Sequence, residues 1–367
     1  MNNGENIIYT TPYNILKDNF LTKNASKRNN TTVKMSTNIL TRGKRHPLVK
    51  TWIKERLNKN ERPYNFLTRK QNVWSYKRHS NFFNSRINLS KYKNVIGSGG
   101  YGMIVSSNTG SNVTKLFYKE DTCGEMSKEY IYFITAFNAL EDNPFPQVNI
   151  PEPKKLDNRK ITFRNRSFQC GIEMKRVLPL EIMSKYNNGI THVILKEDYK
   201  ESLNKERARD DNTSISNTNP SRGFFATGSY IESEILPKLD NLVLGSIRNI
   251  NDIAYRMGIA YATMFIHAEI FPYDVEYCLG IIDGLLNLII IDFGMCEFID
   301  YNLPFEAICK KLLDGNGKAV GASYDIYFPS KNDITFPSFI SGIEYIKSNL
   351  NNEKKIHLID SVINAWE

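Results

Sequence analysis

The chain has 367 residues, 41% of them hydrophobic and 24% charged, which allows two or three compact units and is ordinary for a globular protein. No run of about 18 uncharged apolar residues occurs, so no membrane-spanning helix is expected, and the polar, Asn-rich start lacks the apolar core of a secretory signal. The net charge of +9 is uneven: residues 1–90 carry 18 Lys+Arg against 4 Asp+Glu, and the remainder 30 against 35. Five cysteines, Cys123, Cys170, Cys278, Cys296 and Cys309, are odd in number and show no CxxC spacing. They predict a reducing, intracellular (cytoplasmic) compartment and no structural zinc site.

Residues 1–45 are rich in Asn, Thr, Lys and Ser without an apolar period, and read as a disordered basic tail. Residues 46–90 form a basic and aromatic extension, with Trp52, Tyr64, Phe66, Trp74, Phe82 and Phe83 spaced among Arg and Lys. Such spacing suits packing onto a following domain. The alternative is an acidic or nucleic-acid partner for this leader.

From Tyr92 the pattern turns strand-like. Asn94-Val95-Ile96 leads into Gly97-Ser98-Gly99-Gly100-Tyr101-Gly102, then Met103 to Ser107, a turn at Asn108 to Asn112, and Val113 to Tyr118. Gly97, Gly99 and Gly102 form GxGxxG. A dinucleotide-binding fold uses the same spacing to open a helix, whereas here β-branched residues and a tight turn follow. Strand, Gly loop, strand, turn and a strand bearing Lys115 suit a phosphate cradle, in which glycine backbone N–H groups and the lysine approach the phosphates.

Glu125 to Leu140 reads as a helix from Tyr130, Phe133, Ile134 and Phe137, ending at Asn143-Pro144. Residues 145–177 look like further β-structure, with Gln169 to Val177 passing through Glu173-Met174. Residues 200–228 form a polar insertion, expected as a mobile loop. Asn249 to Ile266 is a strongly apolar helix with Asp252 in its first turn. It delivers the chain to His267-Ala268-Glu269-Ile270-Phe271-Pro272-Tyr273-Asp274. An apolar hairpin with Asp283-Gly284 at its turn comes next, and then Asp292-Phe293-Gly294. Ile308 to Leu313 and Phe339 to Leu350 read as helices.

These last motifs resemble the catalytic and metal loops of protein kinases. Against the pattern H-R-D-x-K-P-x-N, His267 and Pro272 match, Glu269 stands for the base Asp, and Asp274 for the metal-binding Asn. Ala268 replaces the Arg and Phe271 the Lys, while Asp292-Phe293-Gly294 matches in full. A second register puts Asp274 at the base position but leaves Leu279 at the Asn position. The Asn/Lys-rich composition also resembles that of large DNA virus proteins, which would place the chain in host cytoplasm or a virion.

The resemblance covers roughly residues 92–300. It implies an α+β, bilobal protein kinase-like fold with a β-rich N-lobe over 91–177 and a reduced helical C-lobe over 178–367. It further implies ATP and Mg2+ as cofactors, with Gly97, Ser98, Gly99, Gly102 and Lys115 on the nucleotide and Glu129 pairing Lys115, with Glu125 as the alternative. Met174 would lie at the adenine-binding hinge, Asp274 and Asp292 on magnesium, and Glu269 would act as base. The activity expected from it is ATP-dependent phosphotransfer to a protein Ser/Thr hydroxyl. Ala268, Glu269 and Phe271 leave a pseudokinase scaffold as one alternative, and the missing Lys and Ala-Pro-Glu anchor together with the polar insertion leave a small-molecule kinase as another.

Overall fold

Alternating apolar positions and a long apolar helix in the sequence translate into a mixed α+β architecture. The structure is a computed structural model, and it describes residues 86–90, 92–98, 102–106, 110–118, 122–180, 190–196, 224–314 and 327–366. All of these lie within the unit Arg45–Glu367. The expectations for the tail 1–45, for residues 46–85 of the extension, for Gly99 and for most of the insertion fall outside the described residues.

Strands β1 (Asn94–Ser98), β2 (Gly102–Ser106) and β3 (Asn112–Phe117) form an antiparallel meander. Their alternation buries Val105, Val113 and Leu116. Helix α1 (Thr122–Asp142) comes next, then β4 (Val148–Asn149), β5 (Pro153–Asp157), the small hairpin β6 (Ile161–Phe163) and β7 (Arg166–Phe168), and β8 (Cys170–Lys175). The first sheet runs β1-β2-β3-β8-β5. The last residues of the extension belong to it: Ile87 and Leu89 pack with Met103, Val105, Leu116 and Phe168, and Ile87 donates its N–H to Asp157 at 2.9 Å.

A second sheet departs from the expectation of a helical second half. Strands β9 (Thr191–Ile194) and β10 (Phe224–Thr227) pair in parallel, so the insertion expected as a loop over 200–228 ends in a strand. Helical turns over 228–244 lead to α2 (Ile250–Thr263), whose first turn is capped by Asn249 accepting from the Asp252 N–H at 3.1 Å. A π-helical turn, Met264–Ala268, extends α2 to the acidic loop. Then come β11 (Ile270–Phe271), the hairpin β12 (Glu276–Ile282) and β13 (Leu285–Ile291), and β14 (Glu297–Phe298). The hairpin turns at Asp283 (φ 51°) and Gly284 (φ 81°), as two residues in the left-handed region must. The second sheet has the order β10-β9-β12-β13-β4.

Helices α3 (Phe305–Asp314), α4 (Phe336–Ser348) and α5 (Glu353–Trp366) close the chain. α2 and α4 touch backbone to backbone. A Cβ on Gly258 would lie 2.0 Å from the Phe339 carbonyl oxygen, and one on Gly342 would lie 2.1 Å from that of Tyr255. Only glycine permits this approach from both sides. α2 is buried almost all round, including the fully buried Arg256, which donates to the carbonyls of Pro146 and Asp252 and to Ser246 Oγ.

Candidate active site

Lys115 lies at the middle of β3, and α1 passes beside it. Its Nζ is 2.8 and 3.1 Å from the two carboxylate oxygens of Glu129, and 3.5 Å from Asp292 Oδ1. Of the two acids considered for this pair, Glu125 instead meets Lys128 on the exposed face of α1. Burial opposes the Lys115 charge, but the Glu129 and Asp292 carboxylates outweigh it and raise its pKa. The lysine is therefore a fixed cation. Phe293, the residue after Asp292, is buried and stacks on Phe133 of α1 at 5.6 Å, so the same helix holds both ends of the contact.

A disulfide joins Cys123, in the first turn of α1, to Cys170 of β8, where the cysteine count had predicted a reducing compartment. β8 pairs with β3, placing Cys170 opposite Phe117 and Ile172 opposite Lys115. The cross-link thus ties the helix bearing Glu129 to the strand beside the lysine.

The acids of the lower loop all sit in the left-handed backbone region: Glu269 at φ 54°, Asp274 at φ 53° and Asp292 at φ 59°. Asp274 and Asp292 share one electrostatic neighbourhood. Burial, Asp292 and Asp274 together push the Glu276 carboxyl up to about 8, against the pull of Lys115. Asp292 leaves 43% of its side chain exposed, accessible to a ligand. Two carboxylates of this kind are hard oxygen donors that suit magnesium.

Glu269 is held differently. Its carboxylate meets Lys355 Nζ of α5 at 3.1 Å, and the same ammonium donates to the Ile266 carbonyl at 2.6 Å. Phe271 is fully buried and stacks on Tyr273, with Lys311 Nζ of α3 lying 4.9 Å from its ring centroid. The loop that lacks a lysine in its own sequence is therefore approached by two from the C-terminal helices. His267 is partly buried at the end of the π-helical turn.

Gly97 and Gly102 flank the β1–β2 connection, and Ser98 ends β1. A Cβ on Gly102 would lie 2.0 Å from the Leu116 carbonyl oxygen, so this glycine is required by close strand packing. Met174 lies within β8, paired to both β3 and β5. The next two N–H groups are engaged, Lys175 with the Glu152 carbonyl and Arg176 with that of Ser111. These two N–H groups bond the segment into the sheet.

No protein-family model and no curated protein sequence matches the chain. Among solved structures, the chain is similar to a microcompartment-associated aminopropanol kinase over 79% of this chain and 94% of that one, at 10% identity and a TM-score of 0.24. A score this low carries no argument about fold or activity, and the functional reading rests on the geometry of the site.

Three contributors were not legible as site residues. Glu276 and His192 lie 3.6 Å apart across β12 and β9, and Lys355 arrives from the last helix. Burial drives the His192 pKa down to about 4 although Asp292 pulls it upward. Its ring stacks on Phe225 at 4.5 Å. β9, four residues long, offered too few alternating positions to reveal its pairing with β12.

Proposed function

We propose that the chain is an ATP- and magnesium-dependent phosphotransferase of bilobal, protein kinase-like construction, acting on a hydroxyl of a small molecule. The observation that carries this reading is the Lys115 ammonium held between Glu129 and Asp292, joining β3, α1 and the end of β13 in one contact. Lys115, kept cationic by the two acids, would bind nucleotide phosphates, while Glu129 fixes its direction. Asp274 and Asp292 would hold magnesium, which supplies neutralisation of phosphate charge when bound. Glu269 would accept the substrate hydroxyl proton, with Lys355 orienting its carboxylate.

The short connection after the acidic loop favours a small substrate over a protein. β14 ends at Phe298 and α3 begins at Phe305, so six residues stand where a peptide-docking segment would need many more. A Ser/Thr protein substrate is the alternative outcome. A second reading, a nucleotide-binding scaffold without turnover, draws on the Glu269–Lys355 ion pair, which occupies the base carboxylate.

The test is thermal melting of the full chain with ATP, with and without magnesium. Magnesium-dependent stabilisation that disappears in Asp292→Ala is expected, followed by transfer of labelled γ-phosphate to hydroxyl compounds. Stabilisation without transfer would favour the scaffold, and no stabilisation at millimolar ATP would overturn the nucleotide reading.

A further inference from the structure

Strand geometry brings three unlike donors to one point. Glu276 and Cys278 are two residues apart on β12 and so share a face of the sheet. The β9–β12 register pairs Cys278 with His192, which sets the imidazole on that same face. Cys278 Sγ lies 3.4 Å from His192 Nδ1, and His192 Nδ1 lies 3.6 Å from Glu276 Oε2. All three donor atoms fall within 4.8 Å of one another.

We infer that His192, Glu276 and Cys278 form a zinc-binding site. A tetrahedral zinc ion, with ligands at about 2.0–2.3 Å, holds neighbouring donor atoms about 3.3–3.6 Å apart. Two of the three edges already have that length. The donor set is imidazole, carboxylate and thiolate, which selects zinc over magnesium. The all-oxygen pair Asp274 and Asp292 has the opposite preference. Phe225 stacked on the His192 ring fixes the plane in which Nδ1 points. Cys278 is fully buried and His192 is 8% exposed, whereas the Glu276 side chain is 29% exposed. An ion would therefore enter past the carboxylate, and its fourth position would face that opening.

The absence of CxxC spacing predicted no zinc site. Here the ligands come from strands 84 to 86 residues apart in sequence, joined by register. Bound zinc would clamp β9 to β12, the strand just after Asp274. The proposal is independent of the phosphotransfer reading.

The experiment loads the chelator-stripped full-length chain with Zn2+ for metal analysis and with Co2+ for spectroscopy. The expected result is one zinc per chain and a thiolate-to-cobalt charge-transfer band with the strong visible absorption of a four-coordinate ion. Cys278→Val, which suits a buried strand position, loses the band, and Cys309→Ala keeps it. Glu276→Gln, at the partly exposed ligand, keeps the fold by circular dichroism and weakens zinc affinity by at least about tenfold. No retained zinc, a charge-transfer band that survives Cys278→Val, or unchanged affinity in Glu276→Gln overturns the proposal. Asp292→Ala, which removes magnesium-ATP stabilisation under the phosphotransfer reading, is expected to keep its zinc.

Discussion

The two sides of the candidate site are built by opposite means. On the upper side, Lys115 and Glu129 sit in the middle of a strand and a helix, in ordinary backbone conformations. On the lower side, Glu269, Asp274 and Asp292 each take a positive φ, at a cost of about 1–3 kcal/mol apiece. The cation is thus held by regular structure and by a covalent link, while the acids are held by turns that the surrounding core must enforce. Positioning a group on a regular element leaves its direction to side-chain reach. Positioning it on a left-handed residue ties its place to a turn that the neighbouring packing must hold.

The largest effects come from cutting the contact where the sides meet. Asp292→Ala and Lys115→Met should each lower turnover by about 10²–10³-fold, measured as initial rate of phosphate transfer. Equal losses in the two variants and in the double variant would show that the groups act as one unit. Next is the link on the upper side. Cys123→Ser with Cys170→Ser should cost about 2–4 kcal/mol of stability, read as a lower melting temperature, and should weaken nucleotide binding more than it disturbs the lower loop. An unchanged melting temperature would show that packing alone holds α1.

The pH dependence of the apo chain in chelator sharpens the contrast further. Folded Glu276 keeps its proton up to about pH 8, whereas unfolded it releases it near 4.5. The folded state therefore binds more protons across that window, and stability falls as pH rises through it. His192 works the other way. Its pKa drops from 6.5 to about 4 on folding, so stability rises with pH between those values. The two oppose one another between about 4.5 and 6.5. Above 6.5 Glu276 acts without opposition from His192, and its contribution to stability should fall by about 2 kcal/mol by pH 8. Glu276→Gln should flatten that alkaline limb in a series of thermal melts. The smallest effect is expected from Lys355→Met, about a tenfold loss in kcat with KM for ATP unchanged. A rise in KM for ATP would place Lys355 on the nucleotide instead.

The upper side was also the more legible in the sequence. β1 to β3 announce themselves by alternation, α1 by Tyr130, Phe133, Ile134 and Phe137, and the lower hairpin by Asp283-Gly284. The Lys115–Glu129 pairing itself was implied by the kinase resemblance, with Glu125 as the alternative, and it is the structure that brings Glu129 to the lysine. The lower side was readable only as a motif. β9 has four residues, too few to show a period, so neither His192 nor the pairing that extends the β12–β13 hairpin into a larger sheet could be found. α5 opens on Glu353-Lys354-Lys355 and buries only a narrow apolar face through Leu358, Ile359, Val362 and Ile363, which hid both the helix and the lysine that reaches Glu269. The Cys123–Cys170 pair was invisible because spacing alone does not choose partners among five cysteines.

The glycine seam between α2 and α4 gives the acidic loop its reference point. Helices usually meet through side chains, which act as compressible padding and let an axis drift by fractions of an ångström. Here Gly258 and Gly342 remove the padding, so two backbones rest on each other like machined faces. α2 runs from that contact straight into His267 and Glu269. The separation of α2 from α4, and with it the level at which the acidic loop begins, is fixed by the thickness of two peptide planes.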